Sequence, residues 1–272
     1  MYPPSRPQSI GEVLDAAFRI FRATLLRCLP YGVLAMVAGQ LPNIYYVVTG
    51  RPPGQFGRGD PVWWGLYAIG AFFAIAFFNV IVIRQAAVAS GSRPVARTEL
   101  LVGLRKAPAT AAVFLLLLLA IAVCFLPLLG VPREYYLWAI LALSVPATYV
   151  GVLLSCSVVA LLIGGKGIVA SMRYSSHLIL GSWWRTATIY SVAIAMLAVF
   201  YTLAGVIAAV LVPFAGVGDI AVITAVSAVM AAALGAVGVP FYTSMGLVLY
   251  GDLEARKEGA DLERRIVDAA AG

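Results

Sequence analysis

APATAAVFLLLLLAIAVCFLPLLGVP, residues 107–132, carries no charged side chain over 26 residues. A helix needs about 20 predominantly apolar residues to cross the hydrocarbon core of a bilayer. Arg105 and Lys106 stand immediately before this stretch and Arg133 immediately after it. Five more charge-free runs share its character: Cys28–Val48, Val62–Ile83, Tyr135–Gly165, Thr186–Gly218 and Ile220–Gly251. Each is long enough to span, and together they occupy most of the 272 residues. The reading is an all-α polytopic membrane protein with spans at about 28–48, 62–83, 107–132, 135–163, 186–213 and 220–250, within a single membrane domain 1–272. Composition excludes a soluble domain. The chain is 11% charged, whereas soluble domains average roughly a quarter, and helices apolar all round need a nonpolar solvent.

The connections set the expected threading. With the N-terminus inside, 16 of the 19 Lys and Arg residues fall in cytoplasmic segments, and only Arg51, Arg58 and Arg133 are translocated. Excess Lys and Arg in short loops marks the cytoplasmic side. Both termini are therefore expected in the cytoplasm, with 251–272 as a cytoplasmic tail. The net charge of +7 is a topology signal, and no nucleic-acid partner is implied. Trp63 and Trp64 fall at an expected outer boundary and Trp183 and Trp184 at an inner one, where amphipathic rings favour the headgroup level. No cleavable signal segment is expected, because Glu12 and Asp15 precede the first apolar run. Cys28, Cys124 and Cys156 lie in or beside spans without metal or disulfide spacing, and read as apolar fillers.

Residues 1–27 read as a cytoplasmic segment built on an amphipathic helix. Ser9 and Glu12 have capping-box spacing. Ile10, Val13, Leu14, Ala17, Phe18, Phe21 and Leu25 share one face; Glu12, Asp15, Arg19 and Arg22 line another. Phe18 and Phe21 are thus expected at the membrane interface with Arg19, Arg22 and Arg27 toward lipid phosphates, or packed under the bundle. Similar lead-in segments precede the third and fifth spans. They end at Lys106 and Arg185, so Arg27, Lys106 and Arg185 recur at intervals of 79 residues. The pattern suggests three units, each a cytoplasmic helix followed by a two-span hairpin. Pro42, Pro127 and Pro213 lie in the first span of each unit, without keeping that period. A proline within a span frees a carbonyl that a neighbour must satisfy. Small residues at Ala228, Ala232 and Ala236, and at Ala231 and Gly235, suit close packing of the last span.

Chemistry-bearing motifs are absent. The six spans hold no Asp, Glu, Lys, Arg or His, and the chain has no P-loop, G-x-S-x-G, H-E-x-x-H or C-x-x-C. The single histidine, His177, has no acidic or cysteine companion at ligand spacing, so no metal, cofactor or catalytic residue is expected. Arg173, His177 and Arg185 are expected at lipid headgroups, since basic residues at a cytoplasmic surface attract anionic lipid.

Three segments carry a family resemblance. Ser9 to Arg22 (SIGEVLDAAFRIFR) is similar to the opening of the bacterial glycerophosphoryl diester phosphodiesterase membrane-domain family. Ala170-Ser171-Met172-Arg173, with Ser175, Leu178, Gly181 and Trp183-Trp184-Arg185, resembles its middle motif and the YciC-type inner-membrane proteins. Tyr250, Asp252-Leu253, Arg256, Glu258-Gly259 and Asp261-Leu262-Glu263 resemble its closing motif. His177 and Leu180 depart from the basic residues common in the middle motif. The resemblance implies a six-span domain of a bacterial inner membrane. The phosphodiesterase activity belongs to relatives with a separate soluble barrel, for which this chain has neither room nor ligands. The expected role is a non-catalytic accessory or lipid-contacting component, with membrane lipids and a membrane-protein partner or second copy as its company. The alternatives are a passive or partner-driven transporter subunit, signalled by a polar mid-membrane cavity, and a lipid-headgroup enzyme, signalled by an acidic or histidine cluster.

Overall fold

In a computed structural model the described residues are 7–49, 61–93, 95–214 and 220–271, with backbone alone described at 46–47, 204, 207–214, 220–228, 231 and 258–271. The readings resting on Arg6, Arg51, Arg58 and the side chains of Pro213, Ala228 and Ala231 lie outside this set. The described residues form helices and connections without a strand: α1 (Ile10–Gly39), α2 (Leu41–Thr49), α3 (Pro61–Ala89), α4 (Ala96–Cys124), α5 (Tyr136–Leu153), α6 (Ser157–Leu162), α7 (Ile168–Ile179), α8 (Trp183–Phe214) and α9 (Ile220–Ala271). Six helical segments are long and apolar enough to cross a membrane: Ile10–Gly39, Pro61–Ala89, Ala96–Gly130, Arg133–Leu162, Trp183–Leu203 and Ala232–Lys257. Their outward faces suit hydrocarbon. Leu115, Leu118 and Leu119 are 58–67% exposed, which water would penalise and lipid does not.

Element boundaries differ from the expected ones in physically readable ways. The capping box forms: Ser9 N donates to Glu12 Oε2 at 2.6 Å and Glu12 N to Ser9 Oγ at 3.2 Å. The helix it starts does not stop at Arg27, because nothing there ends it. It runs to Gly39, and the break falls at Gln40, before Pro42. The second lead-in segment likewise merges into α4. Only the third stands alone, since Gly181 takes φ +90° between α7 and α8, a value open to glycine and strained for other residues. At the other end, α9 carries the expected tail helically to Ala271. The fourth span is interrupted at Leu154–Cys156, between α5 and α6.

Packing divides the chain into two compact units. One comprises 1–16, 108–190 and 246–272. Its core gathers Val158, Val159 and Leu161 of α6, Leu178 and Ile179 of α7, and Leu247, Leu249 and Leu253 of α9, all buried. Ser175 of α7 bridges the α5–α6 interruption. Its Oγ donates to Leu153 O at 2.9 Å and accepts from Cys156 N at 3.1 Å. Two backbone groups that the interruption exposes are thereby paired, as burial demands.

The other unit comprises 17–107 and 191–245. Here glycines meet the carbonyls that prolines free. Pro240 has no N–H for Ala236 O, and Gly32 of α1 lies against it; a Cβ on Gly32 would sit 2.8 Å from that oxygen. Pro42 likewise has none for Ala38 O, and Gly70 of α3 abuts that carbonyl. Each glycine turns a Cα–H toward the oxygen, a contact worth about 0.5–1 kcal/mol. Gly103 of α4 packs against Ala76 O and Val80 of α3, while Asn79 Nδ2 donates to Gly103 O at 3.1 Å.

Candidate functional site

In the first unit the polar side chains converge on Asp252 of α9, whose side chain is fully buried. It accepts from Gln8 N at 2.7 Å, Arg185 Nη2 at 2.9 Å and Arg256 Nε at 3.1 Å. The same two arginines donate to Gln8 O, at 2.6 and 2.5 Å. One carboxylate and one peptide carbonyl thus hold two guanidiniums, leaving the cluster with a net positive charge. Beside it Glu254 Oε1 accepts from Tyr174 at 3.0 Å and Tyr250 at 3.1 Å, and Lys166 stands 3.8 Å over the Tyr174 ring.

These contacts divide the expected lipid-facing residues. Arg185 is drawn into the Asp252 cluster. Arg173 and His177 are exposed on α7, one turn apart, beside exposed Val169 and Leu180. The opposite face of α7 buries Ser171, Ser175, Leu178 and Ile179. Trp184 is 80% exposed. Trp183 instead stacks on Tyr149, ring centroids 5.3 Å apart, and donates to Tyr149 O at 3.2 Å.

In the second unit a different ion pair is buried. Arg84 near the end of α3 pairs with Glu99 of α4 at 2.5 Å, their side chains 10% and 5% exposed. Arg84 also donates to Arg27 O at 2.8 Å and lies 4.7 Å over the Tyr31 ring. Gln85 Nε2 donates to Pro240 O at 2.7 Å. The sequence reading placed Arg84 one residue past its span and missed this pair. The available signal was an arginine adjoining an apolar run, with a glutamate opening the next helix.

Arg19, Arg22 and Arg27 are exposed on α1. Phe18 and Phe21, expected at the interface or under the bundle, have their rings 5.3 and 5.6 Å from that of Phe241 of α9. With Leu25 they form one wall of a cavity of about 590 Å³ whose other walls come from α8 and α9. At the start of α3, Trp63 stacks on Tyr67 at 5.6 Å and meets Trp64 edge-on at 4.7 Å. Among the described residues no three of His, Cys, Asp and Glu come together as a metal site.

Compared with protein-family models, curated proteins and solved structures, the chain matches none.

Proposed function

We propose that this chain is a multi-pass protein of a bacterial inner membrane, both termini cytoplasmic, that contacts anionic lipid as an accessory component without catalysis of its own. The observation that carries this reading is the outer face of α7. It combines the cation Arg173 and the imidazole of His177 with the exposed apolar Val169 and, just past the helix end, Leu180. A helix of that composition is suited to the interfacial plane, apolar groups in acyl chains and cations at phosphates. Arg19, Arg22 and Arg27 of α1 extend the same chemistry, beside Leu26, which is 83% exposed. Arg185 drops out as a headgroup contact in this reading, since its guanidinium is already bound to Asp252 and Gln8 O. The resemblance of the opening, middle and closing segments to the phosphodiesterase membrane-domain family belongs to the same proposal.

The test is lipid retention by the full chain. Purified from mild detergent, the protein should carry phosphatidylglycerol in preference to phosphatidylethanolamine. Each of Arg19→Gln, Arg22→Gln and Arg173→Gln should weaken retention about fivefold, from roughly 1 kcal/mol per cation near the surface. Added salt should weaken it too, since exposed charges are screened. Retention indifferent to headgroup, salt and all three substitutions overturns the reading.

A further inference from the structure

The cavity beside Phe18 and Phe21 has a size, a lining and a position that select an occupant. Its roughly 590 Å³ lies within the roughly 300–1,000 Å³ of sites that hold small molecules. Phe18, Phe21, Leu197, Phe200, Leu234 and Phe241 are among its lining residues, and among the described ones Tyr201 is the one with a polar side-chain atom. Water gains nothing there, because apolar walls offer it no partners. Met196 and Met230 also line the space; their unbranched, polarisable side chains adapt to a flexible guest. Val199 and Phe200 on its α8 side are 68% and 60% exposed, so in a spanning helix that side opens toward acyl chains. At its α1 side the exposed cations Arg19 and Arg22 adjoin Phe18 and Phe21 in the helix. An apolar space with exposed cations on the neighbouring residues of α1 matches the two ends of one molecule.

We propose that this cavity is a phospholipid site: one acyl chain enters between α1, α8 and α9, and Arg19 and Arg22 receive the anionic headgroup. The assignment rests on the lipid-contact reading above and deepens it. The helix α1 then binds lipid with two faces at once. The phenylalanines that make its apolar face serve as cavity wall, while the arginines turn toward phosphate. A lipid so held wedges α8 from α1, bound to the protein where other lipids only surround it.

The experiment uses the full chain in nanodiscs with phosphatidylglycerol bearing a diazirine midway along one acyl chain. A parallel sample carries the same chain on phosphatidylcholine. After photolysis, adducts are mapped by peptide mass spectrometry. Adducts should concentrate on 196–201 and 230–238, relative to the exposed Leu115–Leu119 face, which serves as the bulk-lipid reference. Ala233 and Val237 both line the cavity, so Ala233→Phe with Val237→Phe should fill it. Two phenylalanine rings leave the acyl chain no room, so cavity adducts should fall to the density of the reference face. Reference adducts should hold steady in that variant, which shows that it is folded and embedded. Arg19→Gln with Arg22→Gln should lower the phosphatidylglycerol adducts and leave the phosphatidylcholine ones. Cavity adducts no denser than the reference, or unmoved by filling, overturn the site. Adducts lost on filling but equal for both headgroups and indifferent to the arginines support the acyl-chain site and remove the headgroup reading.

Discussion

Asp252 shows what one buried carboxylate does when several donors have nowhere else to go. It joins Gln8, two residues before the first helix, to the mouth of α8 and the next turn of α9. Replacing it by Ala leaves two guanidiniums and an amide short of their acceptor. Breaking a fully buried pair costs about 3–5 kcal/mol. Arg185 and Arg256 keep 19% and 32% exposure, so Asp252→Ala should cost about 2–3 kcal/mol, allowing for solvent screening. A thermal melt in detergent measures it, and an unchanged midpoint refutes the anchoring role. Arg84 and Glu99 differ in kind. Glu99→Leu alone should cost about 3–5 kcal/mol, because Arg84 stays buried without its counter-ion. Adding Arg84→Met should recover most of that loss, because desolvating the pair is itself expensive. If the double variant melts no higher than the single, the cost comes from packing and not from charge. Neither cluster was legible as such in the sequence. The residues sat visibly near span ends, but an ion pair between distant segments exists only once helices lie side by side.

At the scale of elements, the prolines were legible and their solutions were not. A proline within a span announces a carbonyl without an N–H, and the sequence supports that inference at Pro42 and Pro240. Which neighbour answers depends on register between helices, and here glycines answer. Gly32→Val should destabilise strongly, since a Cβ there would also lie 2.7 Å from Ala236 Cα. Overpacking of this kind costs about 1–3 kcal/mol or more. Pro240→Ala restores an N–H for Ala236 O and should make the carbonyl less dependent on Gly32. Melting the double variant tests this: recovery of part of the Gly32→Val loss is expected, and strict additivity counts against the carbonyl's part in it. The lead-in helices carry a similar lesson. Their amphipathic pattern was readable at Ser9 to Leu26, and the capping box formed as spaced. Periodicity alone could not show that α1 continues to Gly39, because a helix stops where something stops it.

At the scale of the molecule, the proposed threading rests on charge. Reporter fusions after Ser92 and Gly259 should report cytoplasm, and fusions after Gly54 and Arg133 the periplasm, because 16 of 19 cations then stay inside. A periplasmic signal at Ser92 would reverse the orientation and remove α7 from the leaflet that the lipid-contact proposal requires.

What the sequence determined by itself was the solvent and the class of fold. Six apolar runs must form helices because lipid offers backbone groups no partner, and their length, charge-free character and flanking cations are properties of single segments. What only tertiary structure decided was every feature made between segments. It drew Arg185 to Asp252 while leaving Arg173 and His177 exposed. It buried Arg84 with Glu99. It turned Phe18 and Phe21, on a face that suits a membrane surface equally well, toward Phe241 and a cavity. An apolar face records that it must leave water. Whether lipid or another helix covers it depends on which surfaces fit at close range, and that is settled by the shapes of partners far away in the chain.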